Sequence, residues 1–136
     1  MAVALSITID TREFDRTLEA LNLTRGKGQD ALDRALDTMG FKVQANAATK
    51  QIRRGGSGPP HPTRLTSRTG TGRRSIRVNR RALARIIGSD IIYMRVHELG
   101  GTRHPPRPYL SPALAAEAPQ FDDILAKELQ RLIDRA

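Results

Sequence analysis

The side chains that could do chemistry in this chain are three histidines, scattered serines and carboxylates, and a high density of arginine. His61 and His104 lie in proline-rich stretches without a partner at i+4, and His97 adjoins Glu98, which on a strand would point to the opposite face. Zinc ligands recur at short, fixed spacings; no such spacing occurs, and no metal site is expected. Residues 70–75, GTGRRS, have a faint likeness to a phosphate-binding loop. They lack the lysine and the GxxxxGK[ST] spacing that place backbone N–H groups and a cation around phosphates. A flexible turn entering a strand is the plainer expectation. No GxSxG elbow or other nucleophile motif is present. The sequence therefore predicts no catalytic residue, no cofactor and no enzyme activity.

Arginine is the signal that remains. The net charge is +9, and it is uneven. Residues 1–49 carry six Lys/Arg against seven Asp/Glu, residues 50–107 carry fourteen against two, and residues 108–136 carry three against five. The whole excess sits in the middle, where every cation except Lys50 is Arg. Such a field attracts polyanions or an acidic protein surface, and the planar guanidinium suits bidentate contact with carboxylate or phosphate. Arg64, Arg68, Arg73, Arg74 and Arg107, with Tyr109 beside the last, are the candidate contacts to a partner or to DNA. No stacking aromatics interleave with these arginines, so a platform for single-stranded nucleic acid is not expected. No helix-turn-helix or zinc finger is evident either.

The elements that must position these residues read as one domain over residues 1–136. Residues 3–9, VALSITI, predict a first strand. Asp10 with Glu13 resembles a capping box, followed by a short helix bearing Phe14, Leu18 and Leu21 on one face and ended by Gly26 and Gly28. Leu32, Leu36, Met39, Val43 and Ala47 stripe a long helix over about residues 29–53, in which Gly40 is a flaw. Residues 54–72, rich in Gly, Pro and Arg, read as a long flexible loop without regular structure. Three short strands follow, at 76–78, 82–88 and 91–98, with a first turn near Arg80–Arg81. Ser111–Pro112 should start a last helix, kinked or restarted at Pro119 and carrying Phe121, Ile124, Leu125, Leu129, Leu132 and Ile133. The expected class is α+β: a small antiparallel sheet of three to four strands packed against a long helix of the N-terminal half and a C-terminal helix.

With no Trp, no Cys, two Tyr and three Phe, the core must be thin and aliphatic, which favours a subunit stabilised by neighbours. No stretch approaches the ~20 apolar residues of a membrane span. MAVALSITID lacks a basic start and a cleavage site, so no signal peptide is expected.

Residues 93–114, YMRVHELGGTRHPPRPYLSPAL, spend glycines and prolines on one stiff connection. Such a connection serves either as a rigid corner delivering the chain to the last helix or as a pre-ordered arm that a neighbour recognises. Thr69, Gly70, Arg74, Ser75 and Ile76 come first, then Tyr93, Glu98 and Gly100, then Pro106, Arg107, Pro108, Tyr109, Leu110, Pro112, Ala113 and Leu114. In order and spacing these resemble the small tail-completion and minor tail proteins of long-tailed bacteriophages, the group that includes lambda-type minor tail protein Z. The resemblance covers about residues 28–135. Gly72 stands where that family has an apolar residue and Leu99 where it has an aromatic, while His97 is similar to a branch from Mu-like phages that serves virion morphogenesis. The resemblance implies a non-enzymatic virion protein of the neck or upper tail, assembled in the bacterial cytoplasm. It would form a cyclic homo-oligomer, six- or twelve-fold, against connector, tail-tube or tail-terminator proteins, with DNA in the lumen as a further contact and no membrane. The alternative is a small cytoplasmic DNA-binding protein that uses the arginine-rich centre.

Overall fold

A computed structural model describes residues 1–55 and 63–135. Strand β1 (Val3–Thr8) leads into helix α1 (Thr11–Ala20), and helix α2 (Arg25–Asn46) follows, closed by a π-helical turn at Ala47–Gln51. Strands β2 (Arg53–Arg54) and β3 (Thr66–Ser67) form a two-stranded parallel ladder. Next come the single-turn helix α3 (Thr71–Arg74), strands β4 (Arg77–Arg81) and β5 (Ala84–Ser89), and helices α4 (Ile92–Leu99) and α5 (Leu110–Glu117). A 3₁₀ turn at Ala118–Gln120 joins α5 to the last helix, α6 (Phe121–Arg135). The class is α+β. No helix among the described residues is long and apolar enough to cross a membrane.

The long stripe is the centre of the core. Leu32, Leu36, Met39, Val43 and Ala47 are all buried, with α2 packed against β5 on one side and α5 and α6 on others. The helix starts earlier than expected because Thr24 caps it, its hydroxyl accepting from Lys27 N–H, so Gly28 lies inside α2 rather than before it. There Leu18 of α1 leaves no room for a Cβ, and at Gly40 the side chain of Val78 fills that space. The glycine that looked like a helix flaw, costing about 1 kcal/mol in propensity, lets β4 approach.

The sheet order is β1-β5-β4, antiparallel throughout. Register places Leu5, Ile87 and Val78 in one cross-strand row, and Ala4, Gly88 and Arg77 in the next. The first row joins the core, while Ala4, Ser6, Thr8, Arg77, Asn79 and Arg81 stay exposed. Three antiparallel strands are present, but the third is β1. Residues 91–98, expected as a strand, form α4 instead. Met94 and Glu98, four apart, share the buried face of that helix. Alternation at period two and a short helical stripe are hard to distinguish over eight residues, and here the helix lets both groups reach the core.

Residues 54–72, expected to lack regular structure, contain β3 and α3. Residues 56–62, including His61, lie outside the described part. Asp10 caps α1, but its carboxylate accepts from Arg12 N–H at 2.9 Å rather than closing a box with Glu13. Leu21 is 39% exposed because α1 has already ended. Pro119 sits in the 3₁₀ turn, where the chain restarts as α6. The β4–β5 turn falls at Ala82–Leu83, with Leu83 in the left-handed region at φ 53°.

Candidate partner-contact site

The proline-rich corner folds around one carboxylate. Glu98 is 7% exposed. Its Oε2 accepts from the N–H groups of Tyr109 (2.7 Å) and Leu110 (3.0 Å), and its Oε1 from Ser111 N–H (3.1 Å) and Ser111 Oγ (2.9 Å). These are donors that the first turn of α5 cannot satisfy within the helix, and the negative charge also suits the helix dipole. Ser111, expected as the N-cap, is inside the helix and donates; a side chain eleven to thirteen residues upstream does the capping. Tyr109 Oη donates to Met94 O at 3.0 Å, and Arg107 N–H donates to His97 O at 2.7 Å. Gly100 takes φ 83° to end α4, and its N–H donates to Val96 O.

Beside this corner lies a cavity of about 410 Å³. Ile52, Leu65 and Met94 contribute buried apolar side chains to its lining. Arg64, Arg68, Arg73 and Arg107 also line it, and the described lining holds no carboxylate. Thr66, Arg73 and Arg107 all line it, and each carries one polar atom shielded from solvent without a hydrogen-bond partner: Thr66 Oγ1, Arg73 Nε and Arg107 Nε. His97 completes the wall, its ring edge-on to Tyr93 at 6.0 Å between centroids. Burial first, then the charges of Arg107 and His104, push the His97 pKa down and favour its neutral form.

The structure thus gathers four of the six residues singled out in the sequence, Arg64, Arg68, Arg73 and Arg107, around one cavity. Arg64 also donates to Lys50 O at the end of the π-helical turn. Arg74 is exposed and turned back on its own loop, donating to Gly70 O (3.2 Å) and Thr69 O (3.4 Å). Tyr109 is fully buried, and burial with the nearby Glu98 charge pushes its pKa above the ordinary tyrosine value. It is a core residue with no surface to give a partner, which corrects its place among the contacts. Thr66 and His97 were not selected as site residues from sequence. Their only signal is the fold, which sets β3 and α4 around the same cavity. Among the described residues no group of three His, Asp or Glu could hold a metal ion.

The segments that carried the phage resemblance meet here. Ser75 Oγ lies 2.5 Å from Gly72 O and 2.7 Å from Ser89 Oγ, Ile76 is in the core, and Glu98 ties α4 to the start of α5. Comparison with protein-family models, curated proteins and solved structures finds no match.

Proposed function

We propose that this chain is a structural protein of a bacteriophage virion, placed at the neck or upper tail, where a ring of copies completes the tail or joins it to the head. The observation that carries the reading is the convergence of the three resembling segments: residues 69–76, 93–100 and 106–114 pack into one unit rather than lying apart. A shared motif set in which each member supports the others is what a common architecture requires. The surface beside it suits contact with neighbours. The cavity is cationic, and α4 exposes Ile92 (75%), Tyr93 (47%) and Leu99 (64%), large apolar groups of the kind that mark interaction sites when clustered. The mechanism is interlocking: the α+β core makes the ring, and the arginine-lined cavity takes part of the next component.

The test is an early stop codon in this reading frame, followed by phage induction and electron microscopy of the lysate. Heads lying apart from tails, or tails with malformed ends, are the expected result. Normal infectious particles overturn the reading.

A second reading, a small cytoplasmic DNA-binding protein, draws on the exposed arginines 77, 80 and 81 of β4. Backbone binding of this kind weakens steeply with salt as counterions are released. A steep salt slope on duplex DNA, together with normal particles after the stop codon, would favour it.

A further inference from the structure

The cavity beside α4 combines features that belong to different ligands when taken one at a time. Arg73 and Arg107, each with an unpartnered Nε, bring positive charge that an oxyanion would balance. Its apolar lining, Ile52, Leu65 and Met94, asks for hydrocarbon. A buried donor left without a partner is destabilising, and native structures satisfy nearly all such groups. Arg73 Nε, Arg107 Nε and Thr66 Oγ1 lie shielded and unpartnered in three residues that line one cavity, within a side-chain adjustment of it. That arrangement becomes favourable once an acceptor enters, because charge-assisted hydrogen bonds out of water are about twice as strong as neutral ones.

Duplex DNA is too wide to enter a space of about 410 Å³, and a backbone phosphate reaching in from outside would leave the apolar lining unused. An acidic peptide uses both parts. Asp or Glu carboxylates meet Arg73, Arg107 and the Thr66 hydroxyl, and flanking aliphatic side chains cover the exposed ring of Tyr93. We infer that this cavity is a docking site for an acidic peptide segment with apolar flanks, contributed by a partner protein. The inference rests on the assembly reading and names the chemistry of the neighbour.

The test follows the side-chain Nε–H signals of Arg73 and Arg107 by nitrogen-15 NMR of the full chain. The probes are the peptide acetyl-Leu-Asp-Leu-Glu-Leu-amide, its Asn/Gln counterpart, inorganic phosphate, and a short DNA duplex. The acidic peptide should move both signals saturably, with the neutral counterpart at least about tenfold weaker. Arg73→Gln and Thr66→Val should each weaken the peptide about fivefold or more, and Arg12→Gln on α1 should not. Thr66→Val keeps size and charge, so the question stays decidable if an arginine variant misfolds. Saturation by phosphate or duplex without response to the peptide overturns the proposal in favour of a phosphate-ester site. Equal binding of acidic and neutral peptides reduces the site to an apolar groove, and no shift with any probe removes it. Detached heads with no peptide response would sink this site but spare the joining role; a clear peptide response with normal particles would do the reverse.

Discussion

Arg85 and the pair Arg73/Arg107 show two ways of sinking a guanidinium into a small protein. Arg85 has no exposure, and every nitrogen is used: Nε to Asp37 Oδ1 (2.8 Å), Nη1 to Ala84 O and Arg81 O, Nη2 to Asp33 O and Oδ1. It fastens β5 to α2. Arg73 and Arg107 are half-buried, with their Nε atoms dry and unpaired beside a void. The charge is the same, but one site is complete within the chain and the other leaves a donor unpaired. The chain's positive excess is therefore not one uniform surface; part of it is internal cement and part is a socket.

The comparison breaks most visibly at Arg85. Removing both partners, Asp33→Ala with Asp37→Ala, strands a buried cation, and the expected loss is about 3–5 kcal/mol in urea unfolding. A loss below about 1 kcal/mol would mean that this ion pair behaves like a surface one. Glu98→Ala comes next, because it strips the caps from α5; about 2–3 kcal/mol should go, with early amide exchange at residues 109–111. Thermal melts with exchange mapping would show it, and an unchanged exchange pattern there would refute the capping role.

The His97 effect is smaller and depends on pH. Its folded pKa lies below the usual value near 6.5, so the native state binds fewer protons than the unfolded chain in that window. Stability from this source is fully present above about pH 6.5 and falls as pH drops from there towards the folded pKa. His97→Gln should flatten that slope in urea midpoints, and an anion seated in the cavity should raise the His97 pKa by offsetting the Arg107 charge. The smallest effect belongs to the socket. Arg73→Met, measured by the same melts, should change stability by no more than about 0.5 kcal/mol or raise it, since an unpaired donor disappears. A loss of several kcal/mol would make Arg73 cement as well.

Much of the scaffold was legible because it rests on periodicity. The Leu32–Ala47 stripe, the Phe14/Leu18 pair and the β4–β5 hairpin follow from apolar spacing, and all three are present. What escaped were the long-range contacts. Residues 91–98 carry a pattern that fits a strand or a helix, and the decision falls to Glu98, whose partners are eleven to thirteen residues away. Arg85 sat unremarked among thirteen other cations of the central stretch because its carboxylates lie on another element. The candidate site was legible as a set of arginines but not as a place. Tyr109 looked like a surface aromatic beside Arg107, and the corner turns it inward. Thr66 and His97 join the site only when β3 and α4 come together.

The two-residue ladder between β2 and β3 has a consequence for how this protein can change. Arg53 N–H donates to Leu65 O and Gly55 N–H to Ser67 O, so the chain leaves and re-enters the body at neighbouring points, pointing the same way each time. Closing a longer excursion between fixed points costs little, about 0.6 kcal/mol for each doubling of its length. A change of length between those points therefore costs the fold little loop-closure entropy. Lineages could lengthen, shorten or recharge the sequence between Gly55 and Thr63 while the paired ends at Arg53–Arg54 and Thr66–Ser67 stay as they are.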